Sequence, residues 1–298
     1  MSSARTLLGT GRSIVDGEFV MTAADFRSVA DMIHADAGIA LSDQKAPLVY
    51  SRLAKRLRAL KLGSFAEYCS LVKSSAGAEE RGNMLGALTT NVTRFFREPH
   101  HFEHLAKSVL PAALEQARRG GRVRLWSSAC SSGQEPFSMA LTLLRLLPDA
   151  ARYDIRILAT DIDPNMIEEA RTGRYLAELA TDIPADLRRR WVSDYEDEPG
   201  TVEMAPAVRD LIEFRTLNLI KPWPMRGPFQ AIFCRNVMIY FDLPTQSQVW
   251  ARMAPLLGPD AALYIGHSER VAGPGADILR PDGITTYRRT EAGAKAAS

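Results

Sequence analysis

Positions 89–105 read TTNVTRFFREPHHFEHL and hold two arginines, two adjacent phenylalanines and three of the chain's five histidines. His100 and His104 stand four apart, the spacing of two metal ligands on one helix face. The zinc signature HExxH is absent, because position 101 is His101, and no third ligand is placed by sequence. No metal site is expected. The histidines follow Pro99 and read as the first turn of a helix, packing or capping there. A second group is SSACSSGQEP, in which Ser127, Ser128, Ala129, Cys130, Ser131, Ser132 and Gly133 are all small. Small side chains let a ligand approach the backbone closely. The GxGxxG run that a pyrophosphate requires is missing, which disfavours a dinucleotide. Glu135, at the mouth of the next helix, would repel a phosphate and suits a cation, or it is a first-turn acid favoured by the helix dipole. A third group is ATDID, where Asp161 either accepts hydrogen bonds from a ribose diol or caps the helix that follows. A ribose-bearing, phosphate-free, cationic ligand fits these residues together, and S-adenosylmethionine meets all three conditions.

These groups need elements to carry them. From Thr22 to about Leu88 the pattern is helical, with Phe26, Val29, Met32 and Ile33 on one face of the first segment and a stop near Gly38. After about Gly121 strands and helices alternate: RVRLWSSA, PFSMALTLLRLLP, DIRILATDID, PNMIEEARTG, FQAIFCRNVMIYF, TQSQVWARMAPLLGPD and AALYIGHSE. Such alternation predicts an α/β domain with a mostly parallel sheet and helices on both faces. ITTYRRT is expected as a last strand, antiparallel to AALYIGHSE. Residues 174–216 break the alternation around an acidic turn at Pro199 and Gly200, and are expected to form an inserted small antiparallel β-subdomain. The predicted organisation is a loose tail over 1–20, a small all-α domain over 21–88, a linker over 89–105, the sheet domain over 106–290 and a tail over 291–298.

Composition narrows the class. The net charge of +2 gives no general reason to invoke nucleic acid or a membrane surface. Cys69, Cys130 and Cys234 are far apart with no CxxC pair, which fits a reducing compartment. The first twenty residues lack a long apolar run and no apolar stretch of about 18 residues appears, so neither a secretory signal nor membrane insertion is expected, and the expected location is cytoplasmic. The basic segment with Arg52, Lys55, Arg56, Arg58 and Lys61 is either a solvated face or a docking face for an acidic partner.

TTNVTRFFREPHHF, SSACSSGQEPFSMA, ATDIDPNMIEEARTGRY, LNL and FCRNVMIYF, in this order, resemble the successive motifs of the CheR chemotaxis receptor methyltransferases. The resemblance spans roughly residues 22–290. It implies a class I methyltransferase-like sheet, S-adenosylmethionine as cofactor and S-adenosylhomocysteine as product. The implied activity is protein-glutamate O-methylation on the cytoplasmic helical region of methyl-accepting chemotaxis receptors. Carried over by motif, the cofactor contacts would be Asn91, Thr93, Arg97, Glu135, Asp161, Asn218, Leu219, Arg235 and Asn236. Arg97 and Tyr240 would face the reacting methyl, and Phe95 and Phe96 would exclude water. Two departures stand out. Gln134 occupies a position where an acid is common, and the inserted subdomain lacks the Gly-rich loop with which some members grip a receptor tail. Two competing readings are a methyltransferase for another protein, a small molecule or a nucleic acid, and a non-catalytic S-adenosylmethionine-binding regulatory module. RNVMIYF lacks the NPPY-type run that stacks an extruded base, and Arg97 and Tyr240 argue against a non-catalytic module.

Overall fold

The computed structural model describes residues 13–289. They fall into two compact units, one ending at Thr90 and the other beginning at Asn91. The first is built on α1 (Ala23–Ala37), α2 (Ala46–Leu60), α3 (Phe65–Lys73) and α4 (Ala78–Leu88). Thr22 starts α1 with a capping box: its side chain accepts from Asp25 N, and the Asp25 carboxylate accepts from Thr22 N. Gly38, at φ 74°, ends it in the left-handed conformation. Val29, Ile33, Val49, Leu53, Leu57, Phe65, Val72 and Met84 are fully buried and form the core of this unit.

Two of the five cations expected on a basic face are turned to internal use. Arg52 donates to the carbonyls of Leu88 (2.9 Å) and Thr89 (2.6 Å), the acceptors that the end of α4 leaves without helical partners. Arg56 grips Glu80 through Nε (3.0 Å) and Nη2 (2.6 Å), and the Tyr68 hydroxyl donates to the same carboxylate (2.8 Å). Arg58 pairs with Glu18, while Lys55 and Lys61 are exposed. Of the tail expected over 1–20, residues 1–12 lie outside the described residues, and residues 13–20 are held in place. Ser13 bridges Thr22, Ile14 N donates to Met21 O, and Phe19 and Met21 are buried, so apolar anchors hold the chain from residue 13. The tail expected over 291–298 lies outside the described residues.

The second unit begins with an extended stretch and then α5 (Pro99–His104), which a π-helical turn joins to α6 (Leu110–Arg118). There follow β1 (Val123–Ser127), α7 (Gln134–Leu146), β2 (Ile155–Asp161) and α8 (Pro164–Thr172). Next come β3 (Arg174–Leu176), α9 (Ala185–Trp191), β4 (Val192–Asp194), β5 (Thr201–Met204), α10 (Pro206–Arg209) and β6 (Ile212–Thr216). The chain closes with β7 (Phe229–Cys234), α11 (Leu243–Met253), β8 (Leu257–Ile265), α12 (Gly275–Ile278), β9 (Leu279–Gly283) and β10 (Thr286–Arg289).

Seven strands form one sheet in the order β6-β2-β1-β7-β8-β10-β9. The pairs among β6, β2, β1, β7 and β8 are parallel, and β10 runs antiparallel to both β8 and β9, as expected for ITTYRRT. The central strands bury both faces: Leu125, Trp126, Ile157, Ala159, Ile232 and Phe233 have no exposed surface. α7 is buried through Leu144, and its Ser138 and Thr142 hydroxyls donate to the carbonyls one turn back, both at 2.7 Å.

The inserted antiparallel sheet is real but smaller than expected. It has the order β3-β5-β4, and β6, the last five residues of the expected insertion, belongs to the large sheet as a parallel neighbour of β2. As an edge strand, β6 buries Phe214 and exposes Glu213, Arg215 and Thr216, an alternation that reads like a half-exposed hairpin strand.

Candidate active site at the carboxyl edge of the sheet

From β1 the chain passes to β2 and, after the insertion, to β6 on one side; it then crosses back to β7 on the other. The order of strands reverses between β1 and β7. In open parallel sheets the crevice outside the strand ends at such a reversal is where ligands bind. Glu135, Asp161, Asn218 and Arg235 each follow or end one of these four strands.

The first turn is tied to both neighbouring strands. Ser128 donates to Phe233 O on β7 through its N (2.9 Å) and its hydroxyl (3.0 Å). Cys130 N donates to Thr160 O on β2 (2.8 Å). Ser131 takes φ 49°, and its N donates to Asp161 (2.8 Å) while its hydroxyl donates to Asn91 O (2.7 Å). Gly133, at φ 98°, starts α7 where a Cβ would lie 2.8 Å from the Tyr175 hydroxyl oxygen and 2.9 Å from Ala170 Cβ. Only glycine fits that approach.

Asp161 does not cap α8; that role belongs to Asp163, which accepts from Asn165 N at 2.9 Å. Asp161 instead binds the turns after β1 and β2 together, accepting from Ser131 N and from Asp163 N (3.0 Å). Burial pushes its carboxyl above the usual range, while these backbone donors pull the other way. The next strand closes on the same point, since Leu217 N donates to Asp161 O. One residue on, Asn218 accepts from Ile220 N through its side chain (3.0 Å), and Leu219 is buried.

Arg235, at the end of β7, is the hub of a buried cluster. Its side chain is 2 % exposed and pairs with Glu135 at 2.7 Å and Glu98 at 3.5 Å. It also donates to Arg97 O and meets His101 Nδ1 at 3.1 Å. Phe102 and Phe233 flank the guanidinium. A guanidinium has no lone pair to offer, so His101 Nδ1 is the acceptor and its Nε2 carries the proton, donating to Thr285 Oγ1 (2.8 Å). Burial and then the adjacent Arg235 push His101 down to about 3, so the ring is neutral at physiological pH. Two carboxylates against one guanidinium leave the cluster with one formal negative charge. Glu135 is therefore not a solitary acid: Ser127 donates to its other oxygen at 2.6 Å.

The other two histidines of the opening stretch also serve the sheet. His104 meets the Tyr264 hydroxyl (3.0 Å) and Asp282 (3.2 Å), and His100 lies 3.4 Å from Thr285 Oγ1. Phe95 is a core residue, edge-on to Tyr175.

A pocket of about 370 Å³ is lined by Val92, Thr93, Arg94, Arg97, Glu98 and His267. Arg97 donates to Val92 O (3.1 Å), and among the described residues it has no carboxylate partner. Tyr240 is not in this lining. It is half-buried at the end of the 3₁₀ turn Met238–Tyr240, and among the described residues its hydroxyl has no hydrogen bond. Asn91 donates to Asp163 at 3.4 Å, and Asn236 takes φ 58°. Glu98, His101, His267 and Glu269 were not singled out as site residues from sequence. Their roles depend mainly on partners more than 30 residues away, apart from the Glu98–His101 and Gly266–Glu269 contacts.

A reversed parallel sheet, a first turn too acidic for phosphate and a carboxylate at the end of β2 define an α/β domain of the S-adenosylmethionine-dependent methyltransferase class. The chain belongs to the CheR methyltransferase family. Residues 91–280 match the CheR methyltransferase SAM-binding domain, and residues 24–89 match its all-alpha domain. The chain is 53% identical over 263 residues to a probable chemotaxis protein methyltransferase of Rhizobium etli, covering 88% of this chain and 98% of that protein. It is 41% identical over 274 residues to chemotaxis protein methyltransferase 2 of Pseudomonas aeruginosa, covering 91% and 94%. It is 43% identical over 249 residues to the chemotaxis protein methyltransferase of Salmonella typhimurium, covering 83% of each.

Proposed function

We propose that this chain methylates glutamate side chains on the cytoplasmic helical region of chemotaxis receptors, working in the cytoplasm and forming glutamate methyl esters. The observation that carries this reading is a half-buried Arg97 in an open pocket, without a carboxylate of its own among the described residues. Its fork offers an incoming carboxylate a charge-assisted hydrogen bond.

S-adenosylmethionine, when bound, supplies an electrophilic methyl on a sulfonium that leaves readily. The donor set suits it. Asp161 has lone pairs left for a ribose diol, Asn218 and Leu219 lie beside it for the base, and the cluster of Glu135, Glu98 and Arg235 carries the negative charge that favours an ammonium. Asn91, Thr93 and Asn236 border the same edge.

A glutamate carboxylate, with a reference pKa of about 4.3, arrives ionised and needs no general base. The protein's work is orientation and exclusion of water, which together supply roughly 7–11 kcal/mol in well-positioned reactions. Arg97 holds one carboxylate oxygen, leaving the other to attack, and the unpartnered Tyr240 hydroxyl orients it. No described helix is long and apolar enough to cross a membrane.

The test is transfer of labelled methyl groups to receptor-bearing membranes, followed by mild base. Release of labelled methanol marks a carboxyl ester; a base-stable product overturns the glutamate assignment. Cofactor binding without any transfer supports a regulatory module instead.

A further inference from the structure

The loop after β8 reads Gly266-His267-Ser268-Glu269, and its last residue is in contact with the turn that follows β7. One Glu269 oxygen accepts from Val237 N (2.8 Å) and Met238 N (2.7 Å). The other accepts from Asn236 N (3.0 Å) and Gly266 N (2.6 Å). A carboxylate has about four acceptor positions, so four N–H donors fill it. Glu269 is thus held as an acceptor and is not available as a base.

We propose that Glu269 is a positioning residue of the methyl-transfer site, acting through the turn 236–238 to place Arg235 and Tyr240. The inference rests on the function proposed above. Asn236 takes the left-handed region at φ 58°, which asparagine visits more readily than other non-glycine residues. Three consecutive backbone N–H groups aimed at one anion hold the turn in this conformation. Arg235 immediately precedes this turn, and the short helix ending at Tyr240 grows out of it. Gln246 holds the far side by donating to Met238 O (2.9 Å) and Phe241 O (3.0 Å).

The same loop reaches the segment that carries Arg97. Glu98 Oε1 accepts from His267 N (3.2 Å) and lies 3.0 Å from His267 Nδ1. Four residues therefore fasten the Arg97 side of the site to the Tyr240 side. Gly266 permits it, because a Cβ there would lie 2.5 Å from Asn236 Nδ2 and 2.9 Å from Glu269 Oε2. Neither Glu269 nor Gly266 lines the pocket.

The experiment compares Glu269→Gln, Glu269→Asp and Gly266→Ala in the full chain. It reads receptor methylation kinetics, S-adenosylhomocysteine affinity by calorimetry, and hydrogen exchange at the amides of residues 236–238. Activity is expressed per folded molecule, at a temperature where each variant is folded by circular dichroism. Glu269→Gln keeps the size but turns an amide N–H towards N–H donors. It is expected to lower kcat about tenfold or more, to leave the receptor KM within about threefold, and to lose exchange protection at the three amides. Glu269→Asp recovers part of kcat, and Gly266→Ala, which retains the carboxylate, repeats the loss. Wild-type kcat in Glu269→Gln, or lost protection with kcat intact, overturns the proposal. If the unsubstituted protein transfers no methyl group, the failure lies with the proposed function, and the exchange data still show whether Glu269 holds the turn.

Discussion

Arg97 and Asp161 sit at the same edge but do different kinds of work, and substitution separates them. Arg97 has only a carbonyl for company, so replacing it removes little internal structure. Arg97→Ala is expected to lower kcat/KM for receptor methylation by about two to three orders of magnitude while the melting temperature stays nearly constant. Arg97→Lys recovers only part, since an ammonium lacks the fork geometry. Methylation at the wild-type rate in Arg97→Ala removes this residue from the mechanism. Asp161 joins two turns and is proposed to accept from the ribose diol, so Asp161→Ala is expected to weaken S-adenosylhomocysteine binding about tenfold or more by calorimetry. An unaltered dissociation constant leaves Asp161 with its turn-binding role alone. Asp161 was singled out from its place at the end of a strand and Arg97 only by motif resemblance, and the roles of both rest on these variants. The neighbour that caps α8, Asp163, was not distinguished from Asp161, because two acids in ATDID offer the same chemistry and only backbone geometry tells them apart.

The elements were legible in proportion to how fully they are buried. FQAIFC and AALYI are runs with both faces covered, and they are the inner parallel strands β7 and β8. β6 was assigned to the wrong sheet because an edge strand exposes alternate residues whichever sheet it joins. The histidines of the linker were read correctly as a helix start, yet their partners Tyr264, Asp282 and Thr285 lie more than 150 residues on and leave no local trace. Glu269 was invisible for a related reason: its four donors come from two different loops, and GHSE looks like an ordinary polar strand exit. The small-residue turn after β1 was read as ligand access, but Gly133 has a packing duty as well. Gly133→Ala introduces a Cβ at φ 98° against Tyr175 and Ala170, and is expected to cost about 1–3 kcal/mol in denaturant unfolding. A stability equal to wild type would mean that the α7 start can shift without penalty.

At the scale of the whole molecule, the buried cluster makes stability depend on pH between the ordinary histidine value and about 3. His101 faces Arg235 from β7, Glu98 from the start of α5, His100 and His104 from its own helix, Tyr264 from β8 and Thr285 from the approach to β10. Its folded-state value, about 3, lies below the ordinary histidine value of about 6.5. Between these two values the unfolded chain binds a proton that the folded chain does not. Stability from this group is therefore complete above about pH 6.5 and falls as pH drops towards 3, by about 1.4 kcal/mol per pH unit. Burial also lowers His104, which adds a contribution of the same sign. Asp161 and Glu269, both raised by burial, act in the opposite sense as they take up protons in acid. A matched pair of proteins isolates His101. His101→Gln keeps an acceptor for Arg235 and a donor for Thr285 but does not titrate, and every other group is common to both chains. The stability difference between wild type and His101→Gln, measured by urea unfolding, is expected to shrink by about 2–3 kcal/mol between pH 6.5 and 4.5. Parallel curves across that interval would show that His101 accepts a proton in the folded state as readily as in the unfolded one, and that the Arg235 cluster is looser than its distances imply.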